Sequence, residues 1–320
     1  MCSIEVAGGD AAGLRAVLEG ASDGDEIVVG GGTYAFTSAI AVAPKRLRVL
    51  GQGRNDTILT WGTSASNGLQ LAGDATLTDI EFDSLSIEAS GASSNPLDGV
   101  SWVTDANPAH TLSGLSFRNC DFSGWRTGLR LLGDPAAPFS NVNVENCTAS
   151  ANRQYGMRTE NGSGLRLWKN AIGSCGNCGI YAGAVLGANL AGNAVDGCNT
   201  TDGTSEELNA HVTLKFCHGF VVNGLNVTTL RTATSATKLC LLVSNCGAGL
   251  VQGLNADTTT YKADNRVLRL VNAKGTSIMP IGYNYQVFDE LQVVSVDATS
   301  KYSLFFPFTC AVHPTSFNAP

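Results

Sequence analysis

Apolar and polar residues alternate in short runs along most of the chain, and the runs are separated by glycine, asparagine and serine. Glu26–Val29, Leu47–Leu50 and Thr57–Thr60 are the first three. β-Branched and aliphatic residues fill them, while glycine supplies the backbone freedom that tight corners demand. From Gly68 onward the pattern repeats. One family of segments places glycine before an inward–outward–inward triplet: Gly68-Leu69-Gln70-Leu71, Gly99-Val100-Ser101-Trp102, Gly128-Leu129-Arg130-Leu131, Gly156-Met157-Arg158-Thr159 and Gly179-Ile180-Tyr181-Ala182. Weaker members follow at Ala210-His211-Val212, Cys240-Leu241-Leu242 and Leu268-Arg269-Leu270. A second family lies between these, including Ile80–Ile87, Leu115–Phe122, Val142–Ala149, Leu165–Ile172, Ala188–Val195 and Phe220–Val227. The repeat runs from 23 residues (Gly156 to Gly179) to 35 (Ile80 to Leu115).

A unit of this size has two or three short strands and cannot bury its inward face alone. Stacked on its neighbours it builds a continuous core flanked by parallel sheets. The pattern therefore predicts an all-β chain, a right-handed parallel β-helix (solenoid) of roughly nine or ten coils, on the order of 45 Å long. One helical segment stands apart. Ala11, Leu14, Val17, Leu18 and Ala21 share a face, and Asp10 is a suitable N-cap, so a short N-terminal capping helix is expected to cover the first coil. The reading divides the chain into a cap (1–24), the β-helix (25–274) and an aromatic-rich closure or oligomer contact (275–320), where Tyr283, Tyr285, Phe288, Tyr302, Phe305, Phe306, Phe308 and Phe317 gather.

Composition supports this and narrows the partners. Of 320 residues, 43% are hydrophobic and 37 are glycine, while only 15% are charged, which suits many tight corners around a long core. The net charge of −7 comes without a basic block, which argues against nucleic acid. No apolar run reaches membrane-spanning length, so no membrane partner is expected. The N-terminus lacks the basic and apolar regions of a secretory signal, so synthesis and assembly in the cytoplasm are expected, with secretion after loss of a signal as the alternative. Asn-x-Ser/Thr sites at Asn146, Asn161, Asn199 and Asn226 carry meaning only on a secretory route.

The opening helix, the Asp23-Gly24-Asp25-x-Ile27-x-Val29…Gly32-x-Tyr34 run and the Gly51-x-Gly53…Thr57-x-Leu59 segment resemble the start of pectin-lyase-like right-handed parallel β-helices. The repeats extend that resemblance over roughly residues 5–270. In character it is closest to the β-helix proteins of phage spikes and virions. The resemblance implies a scaffold; the superfamily includes lyases, glycoside hydrolases, epimerases and non-enzymatic phage spikes, so it leaves the activity open. The clustered aspartates of calcium-dependent pectate lyases are missing, which is a departure from that family's catalytic pattern.

The candidate chemistry lies on the outward positions of the first segment family: Gln70, Ser101, Arg130, Arg158, Tyr181 and His211, with Asp98, Asp105, Asp134 and Glu160 nearby. If these stack in register, Arg130, Arg158 and Tyr181 stand about 5 Å apart. Such a strip of Gln70, Arg130, Arg158, Tyr181 and His211 suits an anionic or hydroxylated glycan, through forked guanidinium contacts and stacking on sugar rings. It also contains the parts for β-elimination, with arginine neutralising a uronate and Tyr181 or His211 moving the proton. Hydrolysis instead needs two carboxyls about 5–9.5 Å apart, for which Asp134 and Glu160 are the best pair; Asp202, Glu206 and Glu207 form a second acidic group. Outward positions of a solvated sheet are polar in any case, so the strip weighs against catalysis and leaves glycan binding and a plain solvated face in balance.

Ten cysteines are too few for a disulfide scaffold in a chain this long. Cys120 and Cys147 hold equivalent places in successive repeats, with Leu85 before them and Asn170, Asn193 and Leu225 after. This predicts buried thiols as small apolar filler and an asparagine stack that hydrogen-bonds between coils. Cys175-Gly-Asn-Cys178 has metal-ligand spacing but lacks the second ligand pair that zinc requires, so no metal or other cofactor is expected. Cys2 and Cys310, outside the regular repeats, are candidates for cross-linking subunits in an oxidising medium. These features together predict a structural or adhesive virion protein (a phage spike, collar or capsid-decoration subunit), the expected partners being copies of itself in a trimer, other virion proteins and cell-surface polysaccharide. The alternative is a lyase or glycoside hydrolase acting on acidic surface polysaccharide.

Overall fold

Among the described residues, most repeats fold into a coil of short strands on three faces, and strands pair in parallel with their counterparts one coil away. The computed structural model describes residues 3–43, 46–62, 66–90, 97–199, 205–228, 238–257, 266–279, 281–283, 294–300, 304–305 and 317–318. The chain is an all-β parallel solenoid of about nine turns. It divides into two compact units, Met1–Ser163 and Gly164–Pro320.

In the first unit, one face is built from Ile40–Val42, Leu69–Leu71, Asp98–Val103, Thr127–Leu132 and the start of Tyr155–Trp168. A second face runs from Ser3–Val6 through Asp25–Val29, Leu47–Leu50, Ile80–Asp83 and Ser116–Arg118 to Phe139–Glu145. The third stacks Gly32–Phe36, Thr57–Trp61, Ser86–Ala89, Asp121–Ser123 and Thr148–Ser150. Inward side chains interlock in the core: Trp61, Trp102, Trp125, Phe82, Phe117 and Phe122 are buried, and the Phe82 and Phe117 rings stack at 5.2 Å.

The helix forms as expected, over Ala11–Gly20, with the Asp10 carboxylate accepting a hydrogen bond from the Gly13 N–H at 2.9 Å. Leu14 and Leu18 point into the core, and Arg15 donates to the Ser38 and Ala39 carbonyls.

The recurring glycine has a steric cause. A Cβ on Gly68, Gly99 or Gly128 would sit 2.4, 2.6 or 2.7 Å from the carbonyl oxygen of the glycine one coil on. The Trp125 ring closes the same space, 2.8 Å from a Cβ at Gly99.

The asparagine and cysteine stacks also form. Asn119 donates to Asp83 at 3.0 Å and Asn146 to Asn119 at 2.6 Å along a corner where both asparagines take positive φ. The next position inward is Leu85, then Cys120, then Cys147, all buried. In the second unit the inward place passes to Asn170 and Asn193, which bond to each other at 3.0 Å, while Asn193 reaches the Leu167 carbonyl at 2.9 Å. These two amides are 1% and 0% exposed, so the ladder satisfies groups that burial would otherwise strand.

The second unit repeats the three faces. Its first face contains Ile180–Leu186, Ala210–Lys215, Leu239–Ser244, Arg266–Val271 and Val294–Val296. Cys2, Cys310, Asp202 and most of the aromatic segment after 283 lie outside the described residues, and of Phe305 and Phe317 only the backbone is described.

Candidate functional site

In the first unit the outward row stacks in the expected register: Gln70 opposes Ser101, Ser101 opposes Arg130, and Arg130 opposes Arg158. Its electrostatics come from one buried carboxylate. Asp98 is fully buried at the entry to its strand and accepts from Arg126 and Arg130 together. The Arg126 Nη2 forks over both carboxylate oxygens at 3.1 and 3.0 Å, and the Arg130 Nη1 contacts Oδ2 at 3.0 Å. One carboxylate thus fixes two guanidinium groups, each about 30% exposed. One coil on, Arg158 Nε donates to Glu160 Oε1 at 2.6 Å, and its guanidinium carbon lies 5.2 Å from the Tyr155 ring centroid. Arg126 and Arg130 share the single Asp98 carboxylate, so this pair carries a net positive charge on a chain of net charge −7.

Arg126 is absent from the sequence-derived strip because it sits at a corner, ahead of its strand. The signal that points to it is the Asp98–Thr127 register, which sets Arg126 beside the neighbouring coil's carboxylate.

Asp134 and Glu160 are both spoken for. The Asp134 Oδ1 accepts from the Ala136 N–H at 2.9 Å, closing a tight turn between Asp134 and Ala137, and Glu160 holds Arg158. Glu160 lies opposite Leu132, two residues before Asp134. The raised carboxyl pKa that a general acid needs occurs on another face. Burial first, then the charge of Asp121, pushes Glu88 above the usual carboxylate range, with a Ser86 hydrogen bond opposing.

In the second unit the register differs from the expected one. Tyr181, partly exposed, opposes Thr213 rather than His211, and the row continues through Leu242, Arg269 and Ser295. His211 takes the corner place held by Gly179 one coil earlier; it is fully buried, with Nδ1 3.2 Å from the Leu239 carbonyl. It therefore leaves the outward strip.

The cause is a longer connection before its strand. The 3₁₀ turn Glu206–Asn209 packs over the sheet, its Glu207 carbonyl accepting from the Thr213 hydroxyl at 3.1 Å. Beneath it Ala210, Leu239 and Leu242 form an apolar cluster against Val271. Lys238, 2% exposed, ties Asn199 and Asn209 together at 3.0 and 3.1 Å. Here the outward face is closed.

Among the described residues, no group of three or more His, Cys, Asp or Glu side chains could hold a metal ion. The Cys178 thiol donates to the Ile180 carbonyl at 2.9 Å, and burial pushes its pKa up to about 12. A cleft of about 330 Å³ in the first unit is lined by Asp23, Asp25, Glu26, Asp79 and Glu81, but Arg46 and Arg48 pair with its carboxylates. No helix is long and apolar enough to cross a membrane among the described residues.

Residues 67–265 match the family described as the right handed beta helix region, and the chain belongs to that family. Among curated protein sequences none matches significantly. Among solved structures, ORF18 of Geobacillus virus E2 is similar at 13% identity and a TM-score of 0.58, over 95% of this chain and 61% of that one. The chain thus spans about three fifths of that protein's length. DFA-IIIase from Arthrobacter chlorophenolicus A6, in complex with GF2, is similar at 13% identity and a TM-score of 0.56, over 92% of this chain and 88% of that one. Tailspike protein 2 of bacteriophage CBA120 gives a TM-score of 0.46 at 13% identity, over 79% of this chain and 39% of that one. At such identities the likeness concerns the fold.

Proposed function

We propose that this chain is a structural and adhesive virion protein, assembled as a homotrimer, that holds acidic polysaccharide on the outward face of its first unit. The observation that carries the reading is the shared carboxylate: Asp98 presents Arg126 and Arg130 in fixed positions, and one carboxylate cannot neutralise both. Preset guanidinium forks bind carboxylate or sulfate groups with little loss of side-chain freedom. Gln70, exposed two coils earlier in the same row, adds an amide partner for sugar hydroxyls. The engagement of Asp134 by its turn and of Glu160 by Arg158 supports holding a sugar over cutting it. The likeness in fold to a viral protein supports the virion setting.

Affinity electrophoresis through gels containing polygalacturonate, alginate, hyaluronan or neutral dextran tests this. Retardation by an acidic polymer is expected. It should weaken roughly tenfold in Arg158→Ala, the scale of one charge-assisted contact, and fall with added salt. Absence of retardation by every acidic polymer would sink the proposal. New reducing ends or unsaturated uronates that vanish in Glu160→Gln would replace it with the lyase or hydrolase reading.

A further inference from the structure

We infer that Phe216, in the second unit, is a stacking platform for a single sugar ring, forming a saccharide subsite apart from the arginine face. The inference rests on the proposal that this chain binds polysaccharide.

Four residues occupy one corner on successive coils: Ala184, Phe216, Asn245 and Asn272, each following the registered strand positions Gly183, Lys215, Ser244 and Val271. All four take left-handed backbone, with φ of 51°, 55°, 53° and 47°. Asparagine tolerates this conformation and a bulky side chain rarely adopts it. The two asparagines use the corner as their type does elsewhere in the fold, with Asn272 donating to Asn245 at 2.8 Å. Phe216 stands where that ladder ends. It neither extends the hydrogen bonds nor enters the core, being 51% exposed. A strained corner occupied by an exposed aromatic is a residue held for contact with something outside the chain.

The surroundings indicate what. Leu186, 57% exposed, stands on the neighbouring coil, where it bridges to the exposed His218. Lys215 places Nζ over one face of the Phe216 ring, 5.4 Å from its centroid, where Glu207 holds it at 2.8 Å, which leaves the opposite face for a ligand. Two apolar side chains are far below the roughly 800 Å² per partner of a stable protein interface. They match one pyranose ring, whose C–H face meets the phenyl face turned away from Lys215 while its hydroxyls meet the neighbouring polar groups of His218 and Asn245.

Replacement by asparagine separates contact from packing. Phe216→Asn suits the corner and lengthens the ladder, so it should raise the melting temperature. The same variant, and Phe216→Ala, should bind the retarding polysaccharide roughly three- to tenfold more weakly in affinity electrophoresis, the scale of one aromatic contact. Arg158→Ala runs alongside. Retardation that weakens in Arg158→Ala but stays at the wild-type level in both Phe216 variants overturns this subsite alone. A wild-type protein retarded by no polymer overturns it together with the polysaccharide reading. A melting temperature lowered in Phe216→Asn makes the ring a packing element, and self-association lost in Phe216→Ala makes the patch a contact between copies; either overturns the subsite.

Discussion

Glu88 shows how one side chain registers its place in the coil. It stands on the same outward face as Asp121, one coil away and offset by two residues, since Ser86 opposes Asp121 and Glu88 opposes Ser123. Burial and that neighbouring charge make the folded chain hold the Glu88 proton more tightly than the unfolded chain does. Its contribution to stability is therefore full below the unfolded carboxyl pKa and is lost as pH rises through the folded one. Glu88→Gln is expected to flatten that decline and to stabilise the protein at neutral pH by under about 1 kcal/mol, because the group is partly solvated and screened. Thermal melts of both proteins between acid and neutral pH check this; parallel curves would contradict it. The Cys240 thiol is set by burial alone, which pushes it up to about 12 and keeps it un-ionised and chemically quiet at physiological pH.

At the scale of elements, the spacing between coils is set where side chains are smallest. The Gly68, Gly99 and Gly128 column lets successive corners approach until a methyl group has no room. Gly99→Ala would press a Cβ against the Gly128 carbonyl and the Trp125 ring, and is expected to cost about 1–3 kcal/mol, read as a lower urea midpoint. An unchanged midpoint would show that the column yields freely. This column was legible beforehand as a recurring glycine, because steric exclusion leaves its mark on residue identity. The inward stack of Leu85, Cys120 and Cys147 and the amide pair Asn170–Asn193 were legible for the same reason: equivalent places in successive repeats must carry compatible chemistry. Arg126 was not, since a corner residue belongs to no alternation. Its importance arises only when the neighbouring coil brings Asp98 beneath it.

At the scale of the whole molecule, the same rung plan serves two different surfaces. The first unit presents Gln70, Arg130 and Arg158 outward, with Ser101 covered between them; the second closes its Thr213 and Leu242 positions beneath the turn at Glu206–Asn209. The trimer in the proposed function predicts a solution mass of three chains by light scattering at micromolar concentration. A strict monomer would count against the spike reading while leaving polysaccharide binding to be judged by its own assay.

The amino-acid sequence alone determined the architecture: a parallel β-helix, its capping helix, its buried stacks and the outward row of the first unit. Period-two alternation and repeated corner residues are local requirements, and every coil must meet them separately. Only the tertiary structure decided the row of the second unit. A slip of two residues preserves the alternation, so His211 and Thr213 are indistinguishable by pattern. Which of them faces outward depends on the preceding connection, and the Glu206–Asn209 turn covers the sheet and buries both. The partners of each charge were likewise decided by stacking, because Asp98 meets Arg126 and Arg130 only when coils about thirty residues apart in sequence lie against each other.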